Sequence, residues 1–131
     1  MSIRNSQTYD NLMLLKDAGA IVADGAATVG AVPRVVDVGP ASMGRVKAVI
    51  DTSAIDTVTP GAAYAVAIQG SVNLAFTTPV ELARKVITTV GREELPFSNL
   101  QNGVTLQFIR AFVDVGGTAP TINSTVAVYK D

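Results

Sequence analysis

The sequence contains no cysteine, no histidine and no tryptophan. Without cysteine there can be no disulfide, thiolate nucleophile or thiolate metal ligand. Without histidine there is no imidazole ligand and no imidazole acid–base group, which excludes the commonest hydrolase and metal-site chemistries. Charged residues are also scarce, at 16% of the chain against about 25% in an average soluble domain. With so little charge available, we expect part of the surface to be covered by other protein.

The few charges are balanced and dispersed. Ten basic and eleven acidic side chains leave a net charge of -1, and no basic run exceeds the pair of Arg84 and Lys85. A nucleic-acid partner is therefore not expected. Residues 1–10 are polar, and no apolar stretch approaches the roughly 18–20 residues of a membrane helix. We expect a protein without a membrane partner that is synthesised and kept in a soluble compartment.

The distribution of strand-like segments indicates an all-β fold. About eight short alternating or β-branched segments recur at intervals of roughly a dozen residues, with Gly, Pro, Asn or Asp between them. No βα repeat is visible, so the pattern favours an antiparallel sandwich or barrel. A chain of 131 residues, 48% of them apolar, suits a single core. We assign residues 1–17 to an N-terminal arm or edge strand and residues 18–131 to one domain.

Three segments carry the clearest alternation. Each places apolar side chains at every second position, the period of a strand with one buried face. In the first segment Lys47 and Asp51 are expected on the opposite, wet face. The apolar faces contain Val46, Ala48 and Ile50 in the first segment and Ile122, Val126 and Val128 in the third. In the second segment Tyr64, Val66 and Ile68 lie opposite Ala63, Ala65 and Ala67, a small-residue face suited to sheet packing within the subunit or across an interface.

Other segments are defined by turn and breaker residues. Residues 78–81 match a capping box with proline at the first helical position, whereas residues 86–90 are β-branched. We therefore expect at most a short helical turn, followed by a strand. Pro96 has no amide proton and excludes its segment from the interior of a central strand. The Asn-Gly pair at 102–103 predicts a turn, and residues 104–115 follow as the longest strand candidate.

Carboxylates are the remaining groups that could support catalysis or bind a metal. Asp51 and Asp56 flank a predicted loop, but the EF-hand pattern is missing. Glu93 and Glu94 are adjacent and would point to opposite faces of a strand. Turn and solvated-surface roles explain these residues better. We therefore predict no catalytic residue, no metal site, no cofactor and no enzymatic activity.

An apolar N-terminal segment is a candidate contact region. It precedes the regular alternation and contains methionine, an adaptable contact residue, so it could dock on a partner. An ordinary edge strand explains it equally well. The residues of this segment predicted to touch a partner or a second subunit are Tyr9, Leu12, Met13, Leu14 and Lys16.

Arg110 is the other candidate contact residue. It interrupts a face otherwise made of Leu106, Phe108 and Phe112. One interpretation places it at a sheet rim, where its stem packs and its guanidinium reaches water. The other interpretation is a buried guanidinium that needs a carboxylate or carbonyl partner and organises an oligomer contact.

A series of short motifs covers nearly the whole chain from Tyr9 onward. They are Tyr-Asp-x-Leu-x-x-Leu at residues 9–15, Val-x-Asp-x-Gly at 35–39, Val-x-Ile-Gln-Gly-Ser at 66–71, Leu-Pro at 95–96, an aromatic-aliphatic-Arg strand at 108–110, Gly-Gly-Thr at 116–118 and a last strand at 126–129. In their order and spacing the sequence resembles the small jelly-roll capsid cement, or decoration, proteins of tailed bacteriophages, of the type first described for a Bordetella phage. It departs from them in the helical signature at 78–81 and the charged residues at 92–94.

The resemblance implies a jelly-roll subunit without chemistry of its own. Such a subunit forms a homo-oligomer, a dimer or trimer, on the outer surface of the capsid and bridges subunits of the major capsid protein. The candidate residues, including Arg110, would then be capsid or oligomer contacts, in a protein made in the host cytoplasm and located in the virion. The alternative is a receptor- or carbohydrate-binding β-sandwich of a phage spike or fibre, which would expose aromatic stacking platforms.

Overall fold

The computed structural model describes residues 14–39, 46–58, 61–117 and 120–130. These residues form β-strands and no helix, which confirms the predicted all-β class, and so no helix within these ranges could cross a membrane. The fourteen strands are β1 Leu14–Lys16, β2 Ala20–Ile21, β3 Gly25–Ala26, β4 Thr28–Val29, β5 Val32–Pro33, β6 Val36–Asp37, β7 Val46–Ile55, β8 Ala63–Ser71, β9 Val80–Val86, β10 Gly91–Phe97, β11 Leu100–Gln101, β12 Val104–Thr105, β13 Phe108–Gly116 and β14 Ile122–Lys130.

Two antiparallel sheets contain most of these strands. Sheet 1 has the order β1-β14-β7-β10, and β2 also pairs with β14. Sheet 2 has the order β3-β13-β8-β9, and β6 also pairs with β13. Each sheet therefore has four main strands. When these eight strands are counted from 1 to 8 along the chain, in the sequence β1, β3, β7, β8, β9, β10, β13 and β14, their order is 1-8-3-6 in sheet 1 and 2-7-4-5 in sheet 2. This is the jelly-roll arrangement, and it confirms the predicted sandwich.

The core lies between the two sheets and follows the predicted alternation in β7, β8 and β14. Side chains on the inward face of each strand are almost completely removed from water, since both sheets contribute to one apolar layer. One face of each of the three segments is buried, with exposures from 0% to 4%, and Ala65 and Ala67 on the opposite face of β8 are buried as well. The residues of the three buried faces are Val46, Ala48 and Ile50, Tyr64, Val66 and Ile68, and Ile122, Val126 and Val128.

Strand β13 buries the opposite face from the one that contains Arg110. Ile109, Ala111 and Val113 are each 0% exposed and face the core, whereas Arg110 and Phe112 lie half-buried on the outer face of sheet 2. Leu106 and Gln107 lie between β12 and β13 and belong to neither strand. The single strand predicted over residues 104–115 is therefore wrong. The buried face of β13 is wholly apolar, whereas the outer face also carries Arg110 and Asp114.

The segment of residues 78–90 differs from the prediction. No helical turn forms at residues 78–81, because Val80 already pairs with Gly70 as the first residue of β9. The expected strand over residues 86–90 is also wrong, since β9 ends at Val86. A ladder of six residue pairs with β8 therefore overrides the local capping pattern.

Pro96 and the Asn-Gly pair have the positions that were predicted. Pro96 lies in β10, which is at the edge of sheet 1 and, among the described strands, pairs with β7 alone. Asn102 and Gly103 have φ angles of 51° and 79° and join β11 to β12. Two positive φ angles are what a two-residue type I′ hairpin requires.

Only part of the outer face of sheet 1 is exposed to solvent. Asp51 is exposed as predicted, but Val49 on the same face is buried. Val49 packs with Leu14, Ala127 and Tyr129 in a second, smaller apolar cluster. The first strand of the sandwich is thus held by apolar contacts on its outer side as well as by the main core.

Tyr64 joins two loops at one end of the sandwich. Its hydroxyl donates to the Asp56 carbonyl at 2.6 Å and accepts from the Thr121 amide at 3.0 Å. In the variant Tyr64→Phe both backbone groups lose this partner, so we expect the free energy of unfolding to fall by about 1–3 kcal/mol. Urea denaturation measures this loss.

The matched control for Tyr64 is Ser53→Ala, which removes an exposed hydroxyl bonded to the Asn123 carbonyl at 3.3 Å. We expect Ser53→Ala to change the free energy of unfolding by no more than about 0.5 kcal/mol. A Tyr64→Phe protein as stable as the control variant would contradict the structural role of this hydroxyl.

Candidate functional site

The predicted N-terminal contact residues divide into two groups. Tyr9, Leu12 and Met13 lie outside the described residues. Leu14 and Lys16 lie in β1 and are 7% and 2% exposed. Their side chains are engaged inside the subunit and do not form an accessible surface for a capsid or a second subunit.

Lys16 is the largest of the fully buried side chains in the described residues. Its Nζ donates to the carbonyl oxygens of Ser124 at 2.6 Å and of Asp17 and Gly19 at 3.0 Å each. Burial lowers the pKa of the Lys16 ammonium, and the neighbouring Asp17 carboxylate opposes that shift. The three donors of the ammonium are all used, so Lys16 ties β1 to β14 and to the turn that follows β1.

The variant Lys16→Met keeps the length of the side chain and removes the donors from three carbonyl oxygens. We expect the free energy of unfolding to fall by about 2–4 kcal/mol, since the buried Ser124 carbonyl and two partly buried carbonyls lose their donor. Lys47→Met is the matched control, because Lys47 forms a surface ion pair with Glu94 at 3.2 Å. The control should lose no more than about 1 kcal/mol. Equal losses in chemical denaturation of the two variants would disprove the anchoring role of Lys16.

Arg110 combines features of the two predicted environments, because it is half-buried on the outer face of sheet 2 and its partner is a side-chain carbonyl oxygen. Its Nε donates to Gln69 Oε1 at 2.8 Å, and its guanidinium carbon lies 4.3 Å from the centre of the Phe76 ring. Within the described ranges no carboxylate forms an ion pair with it. Burial lowers the pKa of Arg110. The guanidinium is therefore held by an amide and an aromatic face on the outer side of sheet 2.

The carboxylates considered for catalysis are dispersed. Glu94 pairs with Lys47, and Glu93 lies 3.6 Å from Lys85. The Asp56 carboxylate accepts a hydrogen bond from the Val58 amide at 3.0 Å, which stabilises a turn. Among the residues that the structure describes, no group of three or more acidic side chains is placed to hold a metal ion.

The structure brings together two uncharged segments that the sequence analysis did not single out. Residues 57–80 are the longest stretch of the chain without Asp, Glu, Lys or Arg, and residues 95–109 are a further such stretch. The loop of residues 72–79 and the β11–β12 hairpin lie side by side at the end of the sandwich where β8 ends and β13 begins. We call this loop and hairpin the uncharged tip.

The two parts of the uncharged tip enclose an open groove. Its volume is about 350 Å³, and every side chain that lines it is uncharged. The lining residues are Val72, Thr78 and Val80 on the loop side, with Gln101, Asn102, Val104 and Leu106 on the hairpin side. A groove of this composition favours an apolar, uncharged ligand surface.

Apolar side chains of the uncharged tip also project into solvent. Leu74 is 65% exposed, Val72 55%, Val104 49% and Leu100 45%. The hairpin that carries two of them is tied to the sandwich by Asn99, which is 0% exposed. Its Nδ2 donates to the Leu106 carbonyl at 3.2 Å, and its carbonyl accepts from the Leu106 amide at 2.7 Å. Leu100 and Val104 are therefore carried by a hairpin that is hydrogen-bonded at its base.

Gly70 allows the floor of the groove to pack closely. A Cβ atom at this position would lie 2.9 Å from Leu106 Cδ1, 3.0 Å from Leu106 Cβ and 3.1 Å from Leu82 Cδ1. These distances are too short for carbon atoms, so a larger residue would displace Leu106.

In the variant Gly70→Ala we expect the free energy of unfolding to fall by about 1–3 kcal/mol, because the added methyl overpacks this site. Gly25→Ala is the control, since a Cβ at Gly25 meets nothing within 4 Å. The control should change stability by no more than about 1 kcal/mol. Thermal unfolding of the two variants tests the difference, and an unchanged Gly70→Ala protein would show that Leu106 is free to move.

Sequence comparisons add no relative for this chain: it matches no protein-family model, and no curated protein matches it significantly.

Proposed function

We propose that this protein is a structural capsid cement, or decoration, protein. It binds the outer surface of a tailed-phage head as a dimer or trimer, contacts the major capsid protein and bridges neighbouring capsid subunits. Its role is adhesion rather than catalysis. Two independent features support the proposal, namely the order of motifs along the sequence and the jelly-roll arrangement of the strands.

The observation that carries the proposal is the uncharged tip. Four of the nine large hydrophobic side chains exposed in the described residues belong to it. Grouped apolar exposure marks interaction surfaces, and the centres of protein interfaces are depleted in charge. The tip has both properties on one rigid end of the subunit. We assign it to the contact with the capsid.

A modest contact at each site is sufficient for this role. A standard interface buries about 800 Å² per partner, a small fraction of the 6785 Å² surface of the subunit. An oligomer on a symmetric shell makes several such contacts at once, and linked binding raises the overall affinity by about 10²–10⁴. A small, chemically unreactive subunit can therefore stay attached to a head.

The aromatic side chains do not support the alternative of a carbohydrate-binding module. Tyr64, Phe76, Phe97 and Tyr129 are each less than 10% exposed, and Phe108 and Phe112 are half-buried. Every aromatic ring in the described ranges is thus at least partly covered, whereas sugar binding uses open aromatic faces.

Binding to heads tests the proposal. Expanded heads assembled from the cognate major capsid protein without this chain are mixed with purified protein and sedimented. We expect the wild-type protein to sediment with the heads. Leu74→Asp and Val104→Asp place a charge in the uncharged tip, and each should weaken binding at least about tenfold, as expected for residues at the centre of an interface.

The control variant is Val58→Asp, which places the same charge on a side chain that is 90% exposed in the loop between β7 and β8. It should bind heads like the wild type. Failure of the wild-type protein to sediment would overturn the proposed function, and specific binding in a glycan screen would replace it with the receptor-binding alternative. Equal losses in all three variants would reject the tip as the contact surface.

A further inference from the structure

Phe76 has a backbone conformation that needs an explanation. Its φ angle is 53°, in the left-handed region that a bulky aromatic residue seldom adopts. Such a conformation costs on the order of 1–3 kcal/mol and persists only where the surroundings enforce it. Phe76 lies in the loop of the uncharged tip, two residues after the exposed Leu74. The strain is therefore located beside the proposed contact surface.

Contacts on the outer face of sheet 2 hold the Phe76 ring in place. The ring is 7% exposed, although it belongs to neither of the two apolar clusters formed by the described residues. The Arg110 guanidinium covers it at 4.3 Å, and Gln69 fixes that guanidinium through the 2.8 Å hydrogen bond. Gln69 and Arg110 are register partners in β8 and β13. The ring is thus bound to the most extensive ladder of sheet 2.

Hydrogen bonds within the loop transmit this constraint to Leu74. Asn73 Nδ2 donates to Thr77 Oγ1 at 2.8 Å, and Asn73 Oδ1 accepts from the Thr77 amide at 3.3 Å. The Phe76 amide donates to the Asn73 carbonyl at 3.3 Å. These bonds close residues 73–77 into one unit. Fixing Phe76 therefore fixes the position of Leu74, which lies between the bonded residues.

We propose that Arg110 and Phe76 form a latch that fixes the tip loop in the conformation that presents Leu74 to the partner. Arg110 is a positioning residue in this arrangement, because it acts through Phe76 and does not itself touch the partner. A loop ordered before binding loses less conformational entropy on association. The effect on binding rests on the proposed function, whereas the latch itself is a property of the free protein.

Amide hydrogen exchange of the free protein tests the latch. Arg110→Met removes the cation, and Phe76→Leu removes the aromatic face but keeps an apolar side chain. In both variants we expect the amides of residues 73–77 to exchange about three- to tenfold faster, as loss of a partly buried cation–π contact implies. Phe76→Tyr retains the face and should exchange like the wild type. The double variant should exchange no faster than the single variants, because both remove the same contact.

Sedimentation with heads tests the consequence for binding. Arg110→Met and Phe76→Leu should weaken binding to heads about five- to tenfold, while the melting temperature of each variant stays within a few degrees of the wild-type value. Phe76→Tyr should bind with the affinity of the wild type. Unchanged exchange in Arg110→Met and Phe76→Leu would disprove the latch. Faster exchange with unchanged binding would disprove the positioning role. A wild-type protein that does not bind heads would overturn the proposed function and the positioning role with it, while the exchange data would still decide the latch.

Discussion

The pairing of β8 with β13 is the constraint on which the rest of this end of the molecule depends. Nine consecutive residue pairs, from Phe108 with Ser71 to Gly116 with Ala63, leave no freedom in register. This register places Arg110 beside Gln69. It also places Gly70 where Leu106 can approach closely. The tip loop and the hairpin therefore start from two adjacent, rigidly paired strands.

The subunit separates residues that stabilise it from residues that are free to bind. Lys16 and Leu14 combine apolar area with a charge, which suits a contact surface, yet the fold uses both to attach β1. Four of the nine large apolar side chains exposed in the described residues lie instead in the loop and hairpin of the uncharged tip, where they contribute little to the core. Such a division allows the contact surface to vary in sequence without loss of the sandwich.

Sequence periodicity predicted the core well where one face of a strand is polar. In residues 46–51 one face is wholly apolar and the other carries Lys47 and Asp51, and the structure buries the wholly apolar face. Prediction failed at residues 106–107, which interrupt the strand expected over residues 104–115, and at residues 78–81, where a local capping pattern competes with pairing to β8. In both segments the deciding interactions come from residues distant in sequence. The lack of charge at residues 95–109 was a usable signal for the tip that strand periodicity does not report.

By itself the sequence determined the fold class, the central strands and the exclusion of cysteine and histidine chemistry, because these depend on composition and on a period of two. Only the tertiary structure decided that Lys16 is buried, that Arg110 lies over Phe76 and that the two uncharged segments meet in one groove. Each of these contacts joins side chains from different strands or loops. Their proximity follows from the register and packing of the two sheets, which no local pattern encodes.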